Sequence, residues 1–392
     1  MRIFVIALAV LLTTAISFGQ TITRIDGSTL TADDLEAKIT ALMSAANVSG
    51  AAVSVFNQNV PVFSRTYGAA QVQGKVPLTS TSVMYAASFA KTVFAYIVMQ
   101  LAEERVIDLD KPLVGYLSKP LPEYVIKGWK RGYHDLKNDP RYKNITGRMC
   151  LNHTTGFPNW RWFEPDGKLK FLFEPGTRYN YSGEGLYLLQ FVLEQITGKD
   201  YETLSQERVF RPLGMTMTSQ IWRPRFDSAV SYGHNANGEP YELMKWNEAS
   251  AGGSMSTTLT DFTLFYTALI NGNGLSAQSF REMTRPQVRI RSQRQFGPLS
   301  RIDGPENDDI QLSYGLGVGV FTSPYGPAFF KEGHDEGWGH YSVCFPEKRT
   351  AIVIMTNNDN GEGIFKELLE YAIGDTFTPW QWEEYIPYDK RR

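Results

Sequence analysis

Strand patterns near both ends of this chain, with helix patterns between them, constrain its fold more than any other feature. Residues 50–56 and 60–67 form two apolar, β-branched segments separated by a short polar turn, and residues 341–345 and 351–356 have the same character. Apolar residues spaced by three and four dominate the middle, at 94–101, 185–196, 201–210 and 260–270. We therefore predict an α/β protein of the α+β type. Its antiparallel sheet combines N- and C-terminal segments, flanking helices cover it, and a mostly helical region is inserted.

This prediction divides the chain into consecutive parts. The boundaries are 20–85 for the N-terminal part of the sheet region, 86–250 for the mostly helical region, 251–376 for the C-terminal part and 377–392 for a C-terminal tail. Residues 281–309 contain several Arg, Gln and Pro without a clear period, so we predict a long surface excursion there.

The first residues have the pattern of a secretory signal. Residues 3–16 are nearly all apolar, Arg2 precedes them, and Ser17 and Gly19 place small residues at alternate positions before Gln20. We predict a signal peptide over 1–19, cleaved after Gly19, and an exported product, periplasmic or secreted, with no stable membrane span after cleavage. The alternative is a retained N-terminal anchor, although the apolar stretch is short for a membrane span.

Charge and cysteine content exclude several classes of protein. The 392 residues include 39 Lys and Arg and 41 Asp and Glu, a formal net charge of −2, which disfavours a nucleic-acid binder. The only two cysteines, Cys150 and Cys344, are too few for a disulfide scaffold or a Cys-based zinc site. Two buried thiols are favoured, and one disulfide stays open as an alternative.

A serine and a lysine at helical spacing are the candidate catalytic pair. Ser88-Phe89-Ala90-Lys91 is the only S-x-x-K in the chain and opens a predicted helix, so the two polar side chains share one face. A serine becomes a strong nucleophile when a neighbouring base takes its proton, and lysine can be that base if its pKa falls. The alternative is a serine N-cap followed by a surface lysine. The G-x-S-x-G and Walker A patterns are absent.

Several segments in order resemble the serine β-lactamase-like hydrolases, which include class C β-lactamases, D,D-peptidases and related family VIII-type esterases. The resemblance runs from about residue 35 to 375. The matching segments are 84–117 around Ser88, MCLNHTTGFP at 149–158, FEPGT at 173–177, YSG at 181–183, RPLGM at 211–215 and AGGSM at 251–255. The resemblance implies the penicillin-recognising serine hydrolase fold. We predict no cofactor.

The resemblance also implies roles for three residues. Ser88 would be the acylated nucleophile, and Lys91 would accept its proton. Tyr181 would shuttle that proton to the leaving group, and we expect Lys91 to lower the pKa of its phenol for this purpose. The substrate would be a small molecule or peptide-like compound with an ester, amide or β-lactam carbonyl.

Two motifs depart from the family pattern. Gly183 stands where the family usually has Asn, with Glu184 next to it as a candidate replacement. For the family's third motif, K-T-G or H-x-G on a strand, we assign His334 to the Lys/His position. In this alignment Glu336 replaces the glycine, and the second oxyanion N–H lies near Gly337.

A metal site is disfavoured in the same segment. His334, Asp335, Glu336 and His340 lack a recognised ligand spacing, so we predict no metal.

Aromatic residues flank the H-T-T-G segment and could form a hydrophobic wall for an acyl or aryl group. They are Trp129, Tyr133, Trp160 and Trp162. The alternative is that they only pack under loops.

These observations predict an exported serine hydrolase that acts through an acyl-enzyme, with no nucleic-acid partner. Carboxylesterase activity is favoured over β-lactam cleavage because Gly183 and Glu336 alter two substrate-binding positions. The alternative from another class is a non-catalytic penicillin-recognising fold used for binding or sensing.

Overall fold

The computed structural model describes residues 21–126 and 132–390. The signal peptide predicted at 1–19 lies outside the described residues, and so does Trp129. Thirteen strands are described: β1 Thr21–Thr23, β2 Thr29–Thr31, β3 Gly50–Asn57, β4 Val60–Gln71, β5 Val76–Pro77, β6 Met84–Tyr85, β7 Ser256–Thr257, β8 Val288–Arg289, β9 Ser313–Tyr314, β10 Gly319–Ser323, β11 Gly326–Asp335, β12 Trp338–Phe345 and β13 Thr350–Thr356. The helices are α1 Ala32–Ala46, α2 Phe89–Glu103, α3 Gly147–Leu151, α4 Gly183–Thr197, α5 Tyr201–Ser205, α6 Leu259–Ile270, α7 Ala277–Thr284 and α8 Phe365–Ala372, with a π-helical turn at Gln206–Phe210.

One nine-stranded antiparallel sheet joins the two ends of the chain, which confirms the predicted fold class. Its strand order is β5-β4-β3-β13-β12-β11-β10-β9-β8. The junction between N- and C-terminal parts is the β3–β13 pair, where Ala51 lies opposite Thr356 and Asn57 opposite Thr350. Residues 86–250, which contain α2, α3, α4 and α5, therefore lie between strands of a single sheet.

Helices cover both faces of this sheet because its central strands are apolar on both sides. In β3, Ala52 and Phe56 face the core that contains α2 and α6, whereas Val53 and Val55 face the core that contains α1 and α8. A strand buried on both faces is a continuous apolar run rather than an alternating one. The result is a central sheet with α1 and α8 on one face and α2 and α6 on the other.

Helix α2 lies in the middle of the larger core and carries the candidate nucleophile at its N-terminus. Its sequence FAKTVFAYIVMQLAE is apolar nearly all round, as expected for a helix surrounded by protein. Phe89 stacks on Phe262 of α6 with ring centroids 4.5 Å apart, and the helix also contacts β11. The start of α2 is thus held between α6 and the sheet.

Three segments differ from the sequence prediction. Helix α1 was not predicted, although Thr31 and Asp34 form a capping box at its start. Residues 314–321, whose Gly-rich apolar sequence is typical of one strand, form parts of β9 and β10, and the Gly315 N–H donates a hydrogen bond to Val318 O in the turn between them. The C-terminal segment, predicted as a tail, packs on the core, because Trp382 is fully buried against Tyr179 and Phe330.

Both cysteine thiols are buried and unpaired, as favoured from the sequence. Within the described residues, no helix is both long and apolar enough to cross a membrane.

Candidate active site

A tight turn presents Ser88 at the start of α2. Ala87 has a φ of 45°, a left-handed conformation that non-glycine residues rarely adopt and that is often found at functional sites. Ser88 occupies the N-cap position, yet its side chain makes no capping hydrogen bond. Its Oγ lies 2.8 Å from Lys91 Nζ. The alternative of a serine cap followed by a surface lysine is therefore wrong.

Lys91 is a buried amine without a carboxylate in direct contact. Its Nζ donates hydrogen bonds to Ser88 Oγ and to the carbonyl oxygen of Gly252. Burial and the nearby charge of Lys331 lower the pKa of Lys91 to about 7. A large share of Lys91 is consequently neutral near pH 7, as a general base must be.

Tyr181 lies two residues before α4, and His153 holds this segment in place. The Ser182 N–H donates a hydrogen bond to His153 Nδ1 over 3.1 Å, and the His153 ring packs on the Tyr181 ring with centroids 4.5 Å apart. Burial and the carboxylate of Glu332 raise the pKa of Tyr181 well above its ordinary value. The expectation that Lys91 lowers this pKa is wrong, so Tyr181 is a neutral phenol that can donate and accept a proton.

Lys331 is the functional residue that the sequence analysis missed. It lies on β11, and its buried Nζ is 3.3 Å from Tyr181 Oη and 2.6 Å from Glu332 Oε1. Lys331-Glu332-Gly333 has the lysine and the glycine of the family's K-T-G, with Glu332 in place of Thr, three residues before the position that we assigned. The signal was present in the sequence, but β11 itself had not been predicted as a strand.

The third motif therefore does not lie at His334. The His334 side chain is exposed and its Nδ1 lies 2.7 Å from Glu362, while Glu336 and Gly337 form the turn between β11 and β12. The Gly337 N–H donates to Asp359 Oδ1 over 2.7 Å, so it is already engaged and does not face a substrate oxygen. His334 and Glu336 still lie in the wall of the same cavity as Ser88.

Residue 183 is a glycine because the ring of Trp160 occupies the space beside it. A Cβ at Gly183 would lie 2.0 Å from that ring, and one at Gly252 would lie 2.4 Å from it, so the indole needs both glycines. Glu184 does not replace the missing Asn, because its buried carboxylate forms a bidentate ion pair with Arg161 at 2.9 and 2.7 Å. An aromatic surface thus stands where the family usually has an amide side chain.

Ser88, Lys91 and Tyr181 open into one cavity of about 1000 Å³. Trp160 and Trp162 stack in its wall with ring centroids 4.9 Å apart, which supports the predicted hydrophobic wall for these two residues. Tyr133 instead packs on Phe191 in the core. The cavity combines a nucleophile, a base of lowered pKa and an apolar surface, which suits acyl transfer.

Comparisons with known proteins agree with this geometry. The sequence model of the Beta-lactamase family matches residues 35–373. Penicillin-binding protein 4* of Bacillus subtilis is 24% identical over 348 residues, covering 79% of this chain and 68% of that protein. Lovastatin esterase of Penicillium rubens is 25% identical over 291 residues, covering 63% of this chain and 72% of that protein.

Among solved structures, the octameric penicillin-binding protein homologue from Pyrococcus abyssi has a TM-score of 0.69 at 18% identity, covering 90% of this chain and 79% of that one. At this identity, the similarity shows that the two chains share a fold. Because the family model spans most of the sequence, this chain belongs to the Beta-lactamase family of serine hydrolases.

Proposed function

We propose that this protein is a serine hydrolase that cleaves esters through an acyl-enzyme on Ser88. The observation that carries the proposal is the 2.8 Å contact between Ser88 Oγ and Lys91 Nζ, whose pKa is lowered to about 7. A neutral amine at hydrogen-bond distance can take the hydroxyl proton as the oxygen attacks.

The reaction then follows from the positions of three side chains. Ser88 Oγ attacks the substrate carbonyl carbon while its proton moves to Lys91 Nζ. The ester C–O bond breaks, and the leaving oxygen receives that proton by way of Tyr181, which is a neutral phenol in contact with Lys331. Water adds to the acyl-enzyme and gives a proton to Lys91, and Ser88 Oγ takes a proton back as the acid departs.

The developing oxyanion needs two N–H donors. We assign one to Ser88 itself, because the first N–H groups of a helix have no partner within the helix. We place the other on β11 near Gly333, where a Cβ would lie 3.2 Å from the Ala86 carbonyl oxygen. This replaces the earlier position near Gly337, whose N–H is engaged by Asp359.

Esters are favoured over charged β-lactams for two reasons. Glu332 places a carboxylate beside the reacting groups, and two like charges about 4 Å apart at an effective dielectric of about 20 repel by about 4 kcal/mol. Lys331 offsets part of this repulsion. In addition, Trp160 presents an apolar ring where a substrate amide would otherwise find a hydrogen-bonding side chain.

The test combines labelling with a substrate panel. A fluorophosphonate should label the wild type at Ser88, and p-nitrophenyl esters should be hydrolysed much faster than nitrocefin. Ser88→Ala should abolish both label and turnover at a stability cost below about 1 kcal/mol, because this hydroxyl caps nothing. Ser228→Ala, at an exposed serine, is the matched control. Normal turnover in Ser88→Ala, or a label on another residue, would overturn the proposal.

The same experiment decides the alternative from another class. A protein that only binds or senses would show no turnover with any member of the panel. The lowered pKa of Lys91 supports catalysis instead.

We also propose that the protein is exported, from the pattern of residues 1–19 alone. Expression with these residues should yield a periplasmic or secreted product whose N-terminus is Gln20. An intact N-terminus in a membrane fraction would show that the segment is a retained anchor.

A further inference from the structure

A second cavity opens off the active site. This side pocket has a volume of about 270 Å³, and Tyr85, Met244, Asp335 and Glu336 line both it and the cavity of Ser88. Ligand pockets for whole small molecules usually measure about 300–1000 Å³, so the side pocket suits one group of a larger substrate. Tyr85 lies three residues before Ser88, which puts the pocket beside the nucleophile.

Aromatic rings form much of its wall. They belong to Tyr85, Trp222, Tyr232, Tyr241 and Trp338. The rings of Tyr85 and Trp338 meet edge to face, with centroids 6.5 Å apart. The Tyr241 hydroxyl donates to Asp359 Oδ2 over 2.7 Å, so its hydrogen-bonding capacity is used outside the pocket. The Tyr241 hydroxyl is therefore not available to a ligand, and this residue contributes its ring to the wall.

The charged residues in this wall are acidic. Asp335 and Glu336 at the β11–β12 turn and Glu242 on the opposite side contribute carboxylates, and no Lys, Arg or His is among the described residues that line the pocket. None of these three carboxylates forms an ion pair within the described part of the chain. Close to Ser88, by contrast, the positive charge of Lys331 acts on neighbouring cations, as its lowering of the pKa of Lys91 shows.

Rings together with carboxylates are the combination that binds ammonium groups. One ring of the pocket already does so within the protein: Lys245 Nζ lies 5.2 Å from the Trp222 ring centroid and 2.7 Å from Asp227 Oδ1. Lys245 does not line the pocket, so it does not fill the space.

We propose that the side pocket binds an ammonium group of the substrate, so that the enzyme prefers esters with a cationic acyl or leaving group. This inference rests on the proposed ester hydrolysis. It predicts that an uncharged analogue of the same shape reacts more slowly, since it forfeits both the cation–π and the carboxylate attraction.

The first test compares butyrylcholine with 3,3-dimethylbutyl butyrate, which has carbon in place of the quaternary nitrogen. The kcat/KM of the choline ester should be about tenfold higher in the wild type. Glu336→Gln and Trp222→Leu should each lower this ratio severalfold, and Glu347→Gln, which removes an exposed carboxylate beyond the far end of β12, should leave it unchanged. Equal rates for both esters in the wild type would overturn the inference while ester hydrolysis stands.

A second test does not depend on hydrolysis. Phenyltrimethylammonium should bind the Ser88→Ala protein in a calorimeter, and Glu336→Gln combined with Trp222→Leu should abolish the binding. If Ser88→Ala binds no ammonium, the inference is wrong whether or not the proposed function holds. If no ester is hydrolysed but the ammonium binds, the proposed function fails and the pocket assignment survives.

Discussion

Two buried lysines on different elements flank the same tyrosine, and their surroundings differ. Lys91 on α2 and Lys331 on β11 are each 2% exposed, and each Nζ lies 5.1 Å from the Tyr181 ring centroid. Lys331 contacts the carboxylate of Glu332 at 2.6 Å, whereas the described hydrogen bonds of Lys91 Nζ go to a hydroxyl and a carbonyl oxygen. Among the described residues, Lys331 has a carboxylate in direct contact, whereas the carboxylates that act on Lys91 are more distant.

This difference teaches how one site can use two identical side chains for separate tasks. Burial lowers the pKa of both amines, and Glu332 opposes that effect most directly at Lys331. The positive charge of Lys331 in turn lowers the pKa of Lys91. We therefore expect Lys91 to move protons and Lys331 to remain a cation that orients Tyr181 and sets the pKa of the base.

Lys91→Met should have the largest effect. Methionine keeps the length and volume of the side chain but cannot take a proton, and positioned general-base catalysis contributes about 10²- to 10⁴-fold. Acylation by a p-nitrophenyl ester, measured in a single turnover by stopped flow, should slow by that factor. A variant within threefold of the wild type would show that Lys91 is not the base.

Lys331→Met should have a smaller effect and should move the pH profile. Hydrogen bonds to charged groups contribute about 1.5–3 kcal/mol, so kcat/KM should fall by roughly ten- to a hundredfold. Removing a positive charge near Lys91 raises its pKa, so the rate should reach its plateau at a higher pH. Lys348→Met, at an exposed position, is the control. An equal fall without a shift in the profile would mean that Lys331 acts only by packing.

Glu332→Gln should have the smallest effect on the rate, and it should shift the pH profile in the direction opposite to Lys331→Met. In the wild type, kcat/KM should rise with pH through about 7 as Lys91 loses its proton. Glu332 raises the pKa of Lys91, so its neutral replacement should move the rise to lower pH and make the enzyme severalfold faster at pH 6. The pH dependence of ester hydrolysis in both proteins checks this, and a shift to higher pH would contradict the charge argument.

The contact within the site that the sequence predicted depends on local spacing. Ser88 and Lys91 are three residues apart on one helix, so their proximity follows from helix geometry. Lys331 meets Tyr181 from 150 positions away, and that contact depends on which strand pairs with which and in what register.

A shift of three residues along one strand was enough to assign His334 in place of Lys331. The reason for Gly183 could not be predicted either. It is the position of the Trp160 ring, which is distant in sequence and leaves no room for a Cβ at residue 183.

The pairing of β3 with β13 has a consequence for the order in which this protein can become active. These strands are about three hundred positions apart, so the sheet cannot close until nearly the whole chain has been synthesised. Such long-range contacts slow folding. Lys331 lies on β11, which belongs to the C-terminal part of the sheet. A nascent chain that already contains Ser88 and Lys91 therefore still lacks a complete site. Hydrolytic activity should therefore appear only at the end of folding.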